Sequence, residues 1–251
     1  MNTDPPGDAR DAGDAVGEEA PVEAPTVGVG PWPGPWPADP RYDPDLLRDG
    51  DRRNVADRYR YWTVDAVRAD LDRTRHPLHV AIENWTHDLN IGSVVRTANA
   101  FNVAAVHVVG RRRWNRRGAM VTDRYLHVVH HPDVDALAAW AGAEGLPLLG
   151  VDNLPGAVPL ETTPLPRACV LLFGQEGPGL SSAAHAGCAA VLSIAQFGST
   201  RSINASAAAA IAMHAWIRHH APIPTPTPTP PDPDPRPRPD PRLPPRRTPQ
   251  R

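Results

Sequence analysis

The chain has 251 residues, 32 of them proline, a formal net charge of -2 and 41% hydrophobic residues. That balance excludes a membrane-spanning helix, because no apolar run approaches the ~20 residues a bilayer requires. Cys169 and Cys188 lie in apolar stretches without CxxC spacing or a nearby histidine cluster, which predicts core thiols in a reducing compartment rather than a disulfide or a zinc site.

The apolar residues are unevenly spread. Residues 1–41 and 222–251 are dominated by Pro, Gly, Ala, Asp and Arg and cannot bury enough surface to offset the entropy of ordering them, so both are predicted to be disordered tails. The first is acidic (Asp4, Asp8, Asp11, Asp14, Glu18, Glu19, Glu23 against Arg10). The second carries Arg236, Arg238, Arg242, Arg246, Arg247 and Arg251 in a proline alternation that favours extended polyproline. A near-neutral whole therefore leaves a polyanionic partner open, since local patches decide that question. There is no lysine, for which codon bias is explanation enough. The N-terminus lacks a basic-then-apolar leader pattern, and a cytoplasmic protein without membrane contact is expected.

Residues 42–221 are expected to form one domain, with 42–75 as a short N-terminal extension. Val64, Val67 and Leu71 at helical spacing after Thr63 predict a helix over 63–74. Strands are predicted at 78–83 (LHVAIE) and 104–109 (AAVHVV), flanking a helix whose face is Ile91, Val94, Val95 and Ala98. A helix over 132–144, strands at 146–151 and 168–173, a short helix at 181–187 and a strand at 190–194 follow. The last helix, 203–219, is rich in Ala, which predicts close packing against another helix. Short strands alternating with helices predict an α/β fold, a mainly parallel sheet with helices on both faces.

In such folds ligands bind at loops leaving the carboxyl ends of strands, and four loops stand out. The first runs from Asn84 to Arg96 and opens a helix at Asn90-Ile91-Gly92; Arg96 reads either as a site residue or as a surface arginine on an amphipathic helix. The second, GQEGPGL (174–180), follows a buried strand. Its glycines allow close approach to a ligand, but it lacks the Lys-Ser/Thr of a phosphate loop, and Glu176 would repel phosphate. The third, QFGSTRSIN (196–204), holds Ser202 and Asn204, which serve equally as helix caps or site residues. The fourth is RRRWNRR: Arg111, Arg112, Arg113, Arg116 and Arg117 around Trp114 suit RNA phosphates and a stacked base, against the alternative of a solvated arginine loop.

Taken in order, these loops resemble the three motifs of the SpoU/TrmH-type RNA methyltransferases of the SPOUT superfamily. The first motif reads NIGSVVRTANAF, with Asn90, Gly92, Arg96, Ala98 and Phe101; the second LLFGQEGPGLS; the third IAQFGSTRSINAS. The similarity spans roughly 78–218. Ala195-Gln196 stands where the family usually has Pro-Met, Ile203 where it has Leu, and Asn102-Val103 where a Gly often closes the first motif.

The resemblance implies a C-terminal deep trefoil knot, a homodimer packed through the last helix, and S-adenosyl-L-methionine bound bent in the knot near Gly174, Ile194 and Ile203. It implies methylation of a ribose 2′-hydroxyl in tRNA or rRNA, with no metal. Asn90, Glu176, Ser202 and Asn204 would form the polar network around Arg96. Because a guanidinium is effectively never neutral, Arg96 suits phosphate binding and alkoxide stabilisation better than a literal base. Two alternatives stay open: a non-catalytic RNA-binding protein retaining the knot, and an RNA base methyltransferase. A nucleotide hydrolase lacks the necessary Lys and a Mg²⁺ carboxylate pair.

Overall fold

The computed structural model describes residues 28–85 and 90–222. Most of residues 1–41 and all but the first of 222–251 lie outside that range. The chain divides into two units: the described residues up to Arg75 with Arg124–Leu126, and His76–Asp123 with the described residues from His127 onward.

In the smaller unit, residues 28–41 depart from the disordered tail that composition predicts. Val29 bridges Asp51, the Trp32 amide donates to the Leu47 carbonyl at 2.8 Å, and the Trp32 ring packs edge-on against Tyr42 and Tyr61. One tryptophan among the prolines, Trp32, outweighs a low apolar average. Helix α1 (Pro44–Asp49) starts at the Asp43 cap with proline at its first position, where a missing N–H costs nothing. Helix α2 (Val64–Asp72) starts at Thr63, as its spacing predicts, and Val67 packs with Tyr59 and Tyr125. Asp51 is fully buried. Burial raises its pKa, but hydrogen bonds from Arg53 and the Tyr61 amide prevail and hold the carboxyl at about 2.

The larger unit contains strands β1 (His76–Asn84), β2 (Val103–Gly110), β3 (Val128–His131), β4 (Leu148–Val151), β5 (Val158–Pro159), β6 (Cys169–Phe173) and β7 (Ala190–Ser193). Its helices are α3 (Asn90–Ala100), α4 (Val134–Ala143), α5 (Ser182–Gly187) and α6 (Ala205–His220). The predicted strands and helices are all present, with ends displaced by at most two residues. Neither β3 nor β5 is predicted from sequence. β3 mixes two valines with two histidines, and β5 has only two residues.

All seven strands are parallel, in the order β3-β2-β1-β6-β4-β7-β5. Every residue of β6 is buried, so both faces of the sheet are covered. Ala81, Val109, Leu148, Val170 and Leu172 meet α4 and α5. Helices α3 and α6 pack on one another and on the inner strands. The small residues of α6 do what their composition predicts: Ala209 and Ala212 are fully buried beside Met213 and Trp216. Both cysteines are free thiols, and burial pushes Cys169 up to about 12 and Cys188 up to about 11.

Three histidines cross the β1-β2-β3 edge. His79 Nδ1 shares a 3.0 Å hydrogen bond with His107 Nε2, and His107 Nδ1 shares one of 2.9 Å with His131 Nε2, under the Trp140 ring. Burial first, then the neighbouring imidazoles, presses His107 down to about 3.

Candidate functional site

Segments far apart in the chain meet at the start of α3. Asn90 Nδ2 donates to Glu176 Oε2 at 2.7 Å, and Asn204 Nδ2 donates both to Asn90 Oδ1 at 2.9 Å and to Glu176 Oε2 at 3.1 Å. The Ala205 amide adds a third donor to that carboxylate oxygen at 3.3 Å. Asn204 Oδ1 caps α6, accepting from the amides of Ser206 at 3.0 Å and Ala207 at 3.3 Å. Because the oxygen faces helix donors, the amide nitrogen must face Asn90 and Glu176. One side chain is thus both cap and network member, so the two readings of Asn204 are not alternatives. Ser202 is not the cap.

The glycine-rich loop is folded tightly on itself. Gln175 and Gly179 exchange two backbone hydrogen bonds of 3.1 Å, and a Cβ on Gly174 would run into the Gly179 carbonyl. Three side chains overlooked in the sequence pin it. Asp152 Oδ2 accepts from the Leu180 amide at 2.8 Å, and Gln175 Oε1 accepts from the Trp85 amide at 3.1 Å. Glu83, fully buried, accepts from the Trp85 indole and the Ser181 amide, both at 2.8 Å. A carboxylate at the end of an apolar strand was the available signal: Glu83 ends LHVAIE and Asp152 follows LLGV. Glu83 must find donors there, since a buried carboxylate without them is costly, and the half-buried Asp152 finds one in the Leu180 amide.

Beside the loop lies a cavity of about 170 Å³. Gly174, Glu176, Ile194, Ser202 and Ile203, all singled out in the sequence, line it, with Val151 and Phe173 as further apolar wall. Gln196 lines it too; its Oε1 and Nε2 are both buried, without a hydrogen-bond partner among the described residues. Arg96 is not a lining residue. It is exposed on α3, with no hydrogen bond or ion pair among the described residues.

The arginine loop approaches the same helix start. A Cβ on Gly92 would lie 2.7 Å from the Ala119 amide nitrogen, so glycine is what lets α3 touch the turn at Arg116–Ala119. Asn84 Nδ2 holds the loop through the carbonyls of Arg111 at 2.6 Å and Arg113 at 2.9 Å. Arg111, Arg112, Arg113, Arg116 and Arg117 are exposed, and the Arg116 guanidinium sits 5.5 Å from the Trp114 ring centroid. Among the described residues, no group of three His, Cys, Asp or Glu could hold a metal ion, and no helix is long and apolar enough to cross a membrane.

Residues 77–214 match the SpoU rRNA Methylase family. The chain is 31% identical over 194 residues to an uncharacterized tRNA/rRNA methyltransferase of Mycolicibacterium vanbaalenii, covering 69% of this chain and 58% of that protein. It is 26% identical over 147 residues to the tRNA (guanosine(18)-2′-O)-methyltransferase of Escherichia coli, covering 57% and 64%. The chain therefore spans less than two thirds of either relative. Among solved structures it is similar to the SpoU methyltransferase AviRb of Streptomyces viridochromogenes in complex with AdoMet, with a TM-score of 0.53, 26% identity and 60% of each chain covered. The TrmH/SpoU tRNA modifying enzyme of A. aeolicus shares the fold, with a TM-score of 0.55 at 18% identity over 62% of this chain and 81% of that one.

Proposed function

This chain belongs to the SpoU rRNA methylase family, and from that premise we propose that it transfers a methyl group from S-adenosyl-L-methionine to a ribose 2′-hydroxyl of tRNA or rRNA. The observation that carries the reading is the meeting of Asn90, Glu176 and Asn204 beside the cavity of the glycine loop. Family membership alone would hold for a chain whose motifs had drifted apart; the hydrogen-bonded network supports a working site.

The cavity fits the methyl donor. Ile194, Ile203, Val151 and Phe173 offer apolar walls for a flat base, and the folded loop at Gly174 presents backbone groups. When bound, S-adenosylmethionine supplies an already activated methyl group. The chain's own task is alignment, together with help in removing a weakly acidic proton.

Glu176, with three N–H donors on one oxygen, joins the three motifs as a positioning residue. Ser202, exposed on the cavity wall, orients the substrate ribose. Arg96 holds an RNA phosphate and stabilises the developing alkoxide, which its exposure and its lack of a hydrogen bond or ion pair among the described residues support. The arginines around Trp114 bind flanking phosphates, and Trp114 stacks on an unpaired base.

A C-terminal trefoil knot belongs to the same proposal. β7 lies between β4 and β5, which puts the segment after it beside the 152–168 connection, and Asn153 Nδ2 donates to the Arg201 carbonyl at 3.2 Å. A homodimer through α6 is supported by its exposed stripe of Ala207, Ile211, His214 and Arg218 at helical spacing. A cytoplasmic location is part of the reading, since its substrates are there.

The decisive experiment offers labelled S-adenosylmethionine and unmodified total RNA to the protein, followed by alkaline hydrolysis. Label retained in alkali-resistant dinucleotides, and lost with Arg96→Ala, is the expected outcome. Label in alkali-sensitive mononucleotides identifies a base methyltransferase instead. RNA binding without transfer identifies a non-catalytic binder.

A further inference from the structure

Past the arginine loop the chain makes a tight turn at Met120-Val121. Both residues have positive φ, 46° and 69°, although neither is glycine or asparagine. That region is unfavourable for any side chain and worst for a β-branched one such as valine, so the turn holds backbone strain. Both side chains also point into solvent, Met120 at 60% exposure and Val121 at 51%. Little apolar burial is there to offset the strain.

The turn is not loose. Ala119 before it and Thr122 after it are buried, and Thr122 Oγ1 donates to the Ala119 carbonyl at 2.7 Å. The Met120 amide donates to the Arg117 carbonyl at 3.3 Å, and Arg116 Nη1 lies 3.4 Å from Asp123 Oδ2. Gly118 and Ala119 rest against Gly92 of α3, where an added Cβ would meet their backbone at 2.8 Å and 2.7 Å. The chain thus dips inward at 119 and 122 and lifts two apolar side chains out between them. This tip is fixed at the start of the helix whose first residue, Asn90, belongs to the site network.

The charge beside the tip decides what covers it. Residues 111–117 carry five exposed arginines, and Asp123, already beside Arg116, is the only acid between 111 and 123. Two copies meeting through this surface would bring five guanidiniums from each side together, which like-charge repulsion opposes. An RNA chain instead neutralises the arginines with its phosphates and offers the faces of its bases to the tip. Apolar side chains pushed between two bases separate them, and an unbranched thioether adapts its shape to such a gap.

The geometry points to a wedge: Met120 and Val121 enter between two bases of the RNA and unstack the target nucleotide from its neighbour, freeing its ribose to reach the site. This inference rests on the RNA methyltransferase reading above and deepens it. A strained but anchored tip enters the stack already ordered, so little freedom is lost on binding.

The test uses the full chain with S-adenosylhomocysteine and a synthetic RNA of the sequence that takes the methyl label, carrying 2-aminopurine next to the labelled nucleotide. Stacking quenches the fluorescence of this base, and the wild type is expected to raise it several-fold on binding. Met120→Asn with Val121→Asn removes the apolar tip while suiting the turn, because asparagine tolerates positive φ. That variant is expected to give no fluorescence rise and to lose methyl transfer by roughly tenfold or more. Its S-adenosylhomocysteine affinity and the salt dependence of its RNA binding should match the wild type, and its melting temperature should be no lower. Met120→Leu with Val121→Ile, apolar at both positions, should keep the fluorescence rise. A turn needed only for folding would lower melting and S-adenosylhomocysteine affinity together in the asparagine variant. RNA that the wild type binds and methylates without a fluorescence rise overturns the wedge and leaves the methyltransferase reading intact. A rise that survives both asparagines overturns it as well. So does a change in the variant's sedimentation without RNA, which identifies the tip as a contact between copies. If the wild type methylates no RNA, both readings fall.

Discussion

Acidification from pH 7 to pH 5 should act on the fold through the His79–His107–His131 relay. His107 has an exposure of 1% and both ring nitrogens engaged, and burial holds it at about 3, against about 6.5 for an unfolded histidine. Above pH ~6.5 the imidazole is neutral in both states and the relay's contribution is intact. Below that, the unfolded chain takes up a proton that the fold refuses, and stability is lost progressively down to about pH 3. At pH 5 the gap is about 1.5 units at ~1.36 kcal/mol each, a loss of about 2 kcal/mol from His107 alone. Burial lowers His79 and His131 as well, which adds in the same direction; for His131 the nearby His130 reinforces the shift and Asp133 opposes it. In a domain of this size the His107 term corresponds to a fall in Tm of roughly 4–8 °C. Differential scanning fluorimetry of wild type and His107→Gln across pH 5–7.5 isolates it: the variant should start less stable and lose that much less on acidification. Parallel Tm curves for the two proteins would refute the reasoning.

Other perturbations read the site directly. Asn204→Ala removes the α6 cap, at about 1 kcal/mol of stability, and the bridge between Asn90 and Glu176; methyl transfer should fall more than tenfold, whereas Ser206→Ala should leave it nearly unchanged. Gly92→Ala should cost about 1–3 kcal/mol in urea denaturation, because its Cβ meets backbone rather than a movable side chain. Replacing Arg112, Arg113, Arg116 and Arg117 by Ala should weaken RNA binding and flatten its salt dependence without changing S-adenosylhomocysteine affinity; equal loss of both would refute the patch as an RNA contact.

Much of this protein is decided locally and is legible in the sequence. Thr63 as a cap, the Ile91-Val94-Val95-Ala98 face and the apolar runs of β1, β2, β4 and β6 each depend on residues a few positions apart, and each forms the element it predicts. The motif order was legible for the same reason. What composition hid was short and mixed: β3 with its histidines, and residues 28–41, where Trp32 does what a proline-rich average conceals. The site itself is a tertiary product. Asn90 and Glu176 are 86 residues apart and Asn90 and Asn204 are 114 apart, so no local preference can announce that one carboxylate oxygen of the second motif collects donors from the first and the third. Glu83 looks like an ordinary polar residue until burial removes its water, and Asp152 until the fold brings the Leu180 amide to it. Only the folded chain decides which donors each of them then meets.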